Sequence, residues 1–291
     1  MTNSPGSGEE REKRSAALAS LTAAVALTAF KILVGVLTGS LGILAEAAHS
    51  ALDLVAAVMT FLAVRYSGRP PDRTHLYGHG KIENLSALCE TFLLLGTCAW
   101  IAREAVLRLA SHSAQVEITF WSFAVMVVSI LVDSSRARVL ARTAKKYDSQ
   151  ALEADALHFQ TDVWSSSVVI AGLLAVKLGV WFADAVAALG VCVAVAWVSV
   201  QLGRRTVNAL LDSAPAGMEE RIAAAVEAVP GVRNCHAVRV RSSGPSLFVD
   251  LHVLVDGNQS LSDAHSLTET IEDAIHKLAP HADVTVHPEP E

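Results

Sequence analysis

The sequence predicts an α-helical membrane protein: six transmembrane helices followed by a small cytoplasmic α+β domain of order α-β-β-α-β. Three observations carry this. Of the 291 residues 52% are hydrophobic and only 18% charged, with a mean hydropathy of +0.40, outside the range of ordinary soluble domains. Apolar stretches of about twenty residues, enough to cross a bilayer, recur through the first two hundred positions. From about residue 208 the composition becomes that of a small soluble domain.

The opening MTNSPGSGEEREKR (1–14) is polar and is expected to be a disordered cytoplasmic tail. No cleavage site follows it, so the first apolar span should be retained. Candidate spans lie near 15–37, 41–65, 84–109, 117–139, 151–176 and 180–202, giving a six-helix transmembrane domain over 15–207. The TGSLG break at 38–42 leaves only a tight turn between spans one and two. Lys and Arg set the orientation, because cationic loops stay in the cytoplasm. Arg11, Lys13, Arg14, Arg65, Arg69, Arg73, Lys81, Arg136, Arg138, Arg142, Lys145, Lys146, Arg204 and Arg205 fall on one side, against Arg103, Arg108 and Lys177 on the other. Both termini are therefore expected in the cytoplasm. Lys31, inside span one, reads as a snorkelling or internally paired residue.

Residues 208–291 make the soluble domain. MEERIAAAVEAV has helical periodicity and stops at Pro230-Gly231. HAVRVRSS and SLFVDLHVLVD alternate like strands about a turn at Ser243-Gly244-Pro245. A helix follows from about Ser260 to Leu278, with Ser260 and Asp263 in capping-box spacing, and then a strand ADVTVH.

The totals also exclude. A net charge of −6 and a pI near 6.0 offer no basic surface for nucleic acid. Cys89, Cys98, Cys192 and Cys235 lie far apart without a C-x-x-C pair and suggest no disulfide framework.

The chemistry lies in charges placed inside apolar spans. A charged side chain at the bilayer centre costs about 2.5–3.5 kcal/mol on insertion scales, so such residues need partners. His49 and Asp53 stand four apart on span two, and His158 and Asp162 stand four apart on span five, so each pair shares a helix face. Glu46 and Asp155, three residues before each His, continue the stripes as accessory positions. The spans run antiparallel, so side-by-side packing sets His49 level with Asp162 and Asp53 level with His158. Two imidazoles and two carboxylates in a compact arrangement suit Zn²⁺. The plainer alternative is interhelical hydrogen bonding without an ion. An intramembrane metalloprotease would use H-E-x-x-H, which is absent. A closed four-ligand site also leaves no position for a catalytic water, so no enzyme is expected.

HSALD, YGHGKIE and ADALHFQTD, in this order along a six-span chain with a His-bearing C-terminal domain, resemble the cation diffusion facilitator family of divalent-metal/proton antiporters. The resemblance covers nearly the whole chain. It implies a zinc-type bacterial member, a homodimer in the inner membrane, with a metallochaperone-like cytoplasmic domain. It also assigns a loop metal site to Asp72, His75 and His79, whose plainer reading is a solvated surface cluster. A regulatory binuclear site is implied at His236, His252, His265, His287 and Glu289, where the family often has Asp in place of Glu289. Lys81 would pair with Asp212 as a structural salt bridge. His112, His276 and His281 match no motif and read as polar surface residues.

The expected function is export of cytoplasmic Zn²⁺ in exchange for protons, with Zn²⁺ also a regulatory ligand. Cd²⁺, Co²⁺, Ni²⁺ and Fe²⁺ remain alternatives as cargo. A membrane-anchored metal sensor and a passive channel are the competing classes.

Overall fold

The computed structural model describes residues 7–39, 41–111, 120–177, 183–244, 246–280 and 282–291. His112, His281 and Pro245 of the expected turn lie outside this set, as do the side chains of Glu46 and Lys177. The elements are α1 (Ser7–Thr38), α2 (Leu41–Ser67), α3 (Lys81–Ser111), α4 (Phe120–Tyr147), α5 (Gln150–Lys177), α6 (Ala183–Leu210), α7 (Met218–Glu227), β1 (Asn234–Ser243), β2 (Ser246–Val255), α8 (Leu261–Leu278) and β3 (Ala282–Pro290). They divide into two compact units, one formed by 8–66 with 82–206 and the other by 67–81 with 207–291.

In the helical unit the usual distribution of polarity is inverted. Large apolar side chains face outward, among them Leu33, Phe92, Trp100 and Trp197, the last 69% exposed, whereas Glu83, Glu90 and Asp155 are at most 1% exposed. An exterior of this kind suits hydrocarbon, and interior charges there must find partners within the protein. Among the described residues, four helical stretches, Gly8–Thr38, Ala47–Ser67, Lys81–Leu107 and Ala185–Leu210, are long and apolar enough to cross a membrane. α4 and α5 are as long, but α4 carries Asp133, Arg136 and four further basic residues, and α5 carries Glu153, Asp155 and Asp162.

α5 occupies the middle of the unit. Leu152, Ala156 and Phe159 join Ala17 of α1, Ala63 and Val64 of α2 and Leu140 and Ala144 of α4, while Ala154 packs with Ala87 of α3 and Leu202 of α6. A helix buried on several sides can hold polar groups out of lipid whichever way they point.

Two expectations about boundaries are corrected. Residues 7–14 are helical, not a disordered tail, because their charges make tertiary pairs. Lys13 Nζ donates to Glu83 Oε1 at 2.8 Å with both side chains buried. Glu12 accepts from Lys146 at 2.7 Å and Tyr147 at 2.6 Å. α4 also runs past the expected 139 to Tyr147, and its last turn carries Lys145 and Lys146, which complement the negative end of the helix dipole.

The C-terminal unit has the predicted α-β-β-α-β order. Its sheet order is β1-β2-β3, with β1–β2 antiparallel and β2–β3 parallel. The parallel pair needs a crossover, which α8 supplies. Ser260 caps α8 by accepting from the Asp263 N–H at 3.1 Å. Val249, Leu251, Val253 and Val255 of β2 meet Ile222 and Val226 of α7 and Ile271 and Ile275 of α8 in one core. Strand side chains alternate, so the opposite face of β2 is left to Asp250 and His252.

Candidate metal centres

The site between α2 and α5 has the pairing that an antiparallel arrangement requires. His158 Nε2 lies 3.1 Å from Asp53 Oδ1 and 3.8 Å from Asp162 Oδ2. His49 Nε2 lies 3.9 Å from Asp162 Oδ1 and 4.0 Å from Asp53 Oδ1. Ligand atoms of Asp53, His158 and Asp162 all fall within 4.8 Å of one another, a spacing that a divalent cation would draw in to coordination distance. His158 and Asp53 are buried, while the His49 side chain is 43% exposed. The site is therefore closed on the α5 side and open at His49.

Around it lies a polar shell of which the sequence patterns marked only Asp155 and Lys31. Asp155 accepts from Ser20 Oγ at 3.2 Å. Arg136 donates to Ser20 and, at 3.1 Å, to Asp133, and its guanidinium sits 3.4 Å over the Phe159 ring. Glu90 of α3, with no exposed surface, accepts a hydrogen bond from Thr60 of α2. Asp155 thus joins a buried network. Lys31 donates to Ser50 Oγ at 2.7 Å, so it is internally held and not snorkelling.

In the loop between α2 and α3, Asp72 organises a tight turn. Its Oδ1 accepts from the backbone N–H of His75 at 2.7 Å and from the Thr74 N–H and hydroxyl at 2.8 Å each. These bonds, the one from His75 foremost, hold the Asp72 carboxyl well below the usual carboxylate range. His75 Nδ1 and His79 Nε2 each approach Asp72 to 3.4 Å. All three predicted loop residues therefore come together. The glycines of YGHG serve this path: Gly78 has φ +81°, and a Cβ on Gly80 would overlap the Ser243 carbonyl at the β1–β2 turn.

Lys81 pairs with Asp212 at 2.8 Å and also donates to the Leu210 carbonyl. Arg241 reaches the same Asp212 at 3.5 Å while its guanidinium lies 4.1 Å over Tyr77. The Lys81 hydrogen bond, with both cations nearby, depresses the Asp212 carboxyl.

On the sheet, register creates a row of imidazoles. His236 stands opposite His252, and His252 opposite His287, with ring centroids 5.5 and 4.8 Å apart. Glu289, two residues along β3, reaches back to His252 Nδ1 at 2.8 Å, His236 Nε2 at 3.3 Å and His287 Nε2 at 3.9 Å. The hydrogen bond to His252 is the main reason its carboxyl is held down. His236, His252 and Glu289 form the compact group. Within one chain His265 stands apart from this group on α8, its side chain 73% exposed and Glu269 at 3.9 Å. His276 is also not a plain surface residue, because it is half-buried and bonds to the Ala282 carbonyl at 3.1 Å.

Residues 17–211 match the family described as cation efflux transmembrane domain, and 214–291 match the cation efflux protein, cytoplasmic domain. A cation-efflux pump FieF of Pectobacterium atrosepticum is 32% identical over 283 residues, covering 94% of this chain and 92% of its own. The FieF of Cronobacter sakazakii is 35% identical over 280 residues, with the same coverage. A nickel form of the MamM CTD is 27% identical, covering 25% of this chain and 95% of its own, with a TM-score of 0.24. This chain is a membrane protein and a divalent-cation transporter, not an enzyme, and it belongs to the cation diffusion facilitator family.

Proposed function

We propose that this chain exports Zn²⁺ from the bacterial cytoplasm in exchange for protons, working by alternating access as a homodimer in the inner membrane. All of α1–α6 would span the bilayer, with both termini cytoplasmic and the membrane domain giving way to the soluble one near residue 208. One observation carries the reading: His49, Asp53, His158 and Asp162 converge from α2 and α5 as two imidazoles and two carboxylates. Mixed nitrogen and oxygen donors of this number favour Zn²⁺ over harder cations.

Metal binding requires neutral imidazoles and ionised carboxylates, so loading displaces protons and acid on the far side displaces the metal. The opening at His49 provides an exchange route. Asp72, His75 and His79 form a second zinc position, and His236, His252, His265, His287 and Glu289 a regulatory one. Zinc there would favour one arrangement of the C-terminal domains when metal is abundant. Lys81 and Asp212 serve as a structural tie. The relatives' description as cation-efflux pumps supports the direction of transport.

Proteoliposomes loaded with a pH dye test this. Imposed Zn²⁺ should enter with protons leaving in proportion. Zinc entry uncoupled from protons would indicate a channel, and no entry would indicate a sensor; either result rejects the proposal.

A further inference from the structure

Apart from these centres, α3 and α6 bring two thiols together. Cys98 and Cys192 are each 6% exposed and join Val195 in a small cluster. Neither is in a disulfide. Beside them lies a cavity of about 210 Å³, to whose wall Glu104, Thr161 and Ser165 contribute polar atoms.

We propose that Cys98 and Cys192 form a two-thiolate site for a soft, two-coordinate cation of the mercuric, silver or cuprous class, entered through this cavity. Sulfur ligands select such cations. On binding, both S–H bonds break, two sulfur–metal bonds form and two protons leave, with no change of oxidation state. Buried thiols in apolar surroundings are otherwise inert, so only an ion with high affinity for sulfur displaces their protons. Zinc, which takes four ligands in closed sites, finds only two sulfurs here. An ion bridging the pair would pin α3 to α6. Thr161 of the cavity wall precedes Asp162 on α5. The binding claim itself does not depend on the transport reading, because it is read from the sulfur–metal bond.

The test uses full-length protein in detergent carrying Cys89→Ser and Cys235→Ser, which leaves only this pair. Hg²⁺ is titrated in the presence of glutathione, with sulfur–mercury charge-transfer absorption and intact mass as readouts. One ion per chain should be retained. The second sulfur acts intramolecularly, an advantage of about 10²–10⁴, so adding Cys98→Ser or Cys192→Ser should weaken retention by about 100-fold or more. Cys→Ala versions, compared at matched melting temperature, separate loss of the ligand from misfolding. Equal retention by a single-thiol variant, or independent binding of two ions by the parent, would overturn the proposal, as would failure of the parent to hold Hg²⁺ against glutathione.

Discussion

The Thr60–Glu90 contact gives a sharp stability prediction. Glu90 has no exposed surface, its Oε1 accepts from the Thr60 hydroxyl, and its Oε2 has no hydrogen-bond partner. Thr60→Val keeps the shape of a side chain that is itself buried but deletes the donor. A hydrogen bond to a carboxyl in this setting is worth about 1.5–3 kcal/mol, and leaving the acceptor buried without it forfeits that amount. At about 2–4 °C per kcal/mol, the melting temperature should fall by roughly 3–12 °C. Replacing both partners by apolar groups is expected to be nearly neutral, so Thr60→Val/Glu90→Leu should recover most of the loss. Differential scanning fluorimetry of the detergent-purified chain measures both. An unchanged melting temperature in Thr60→Val, or a double variant as unstable as the sum of the single ones, would refute the reasoning.

Three further outcomes are expected. Gly80→Ala places a methyl on the Ser243 carbonyl and should cost about 1–3 kcal/mol of local stability, visible as faster hydrogen exchange across 72–80. The Asp72 carboxyl is depressed by the His75 and Thr74 bonds, so the stability it gives the turn is fully present above the ordinary Asp value of about 3.9 and is lost only as pH falls through its lower folded value. The Asp72 carboxyl ¹³C resonance should therefore show no protonation step between pH 7 and about pH 4; protonation of that carboxyl near pH 5 would count against the assignment. Glu289→Gln removes the negative hub of the histidine row and should weaken zinc binding by the C-terminal domain about 10-fold or more in calorimetry, with transport by the α2–α5 site retained.

The parts legible in the sequence are those that repeat at a structural period. His49/Asp53 and His158/Asp162 are each four apart, so face-sharing and antiparallel levelling could be reasoned without coordinates, and His158 does face Asp53 at 3.1 Å. Strand alternation likewise marks β1 and β2. Glu90 and Glu83 had no such signature, because each is a single polar residue whose partner lies on another helix; Arg136 stands three residues from Asp133 on α4, but its link to Ser20 of α1 had none either. Glu12 and Lys13 looked like part of a polar tail for the same reason: composition does not show that Lys146 and Glu83 wait to pair with them. The His236–His252–His287 row depends on strand register, which single-strand periodicity leaves open. His265 is grouped with that row by resemblance alone, because its place on α8 beside Glu269 follows no strand period.

Zinc uptake by proteoliposomes containing Asp53→Ala/Asp162→Ala, reconstituted at the same density as the parent, examines the transport site most directly. Loss of both carboxylates should leave uptake at the level of protein-free vesicles while the C-terminal domain still binds zinc. Uptake equal to the parent's would mean that the cation passes through this protein by some other route.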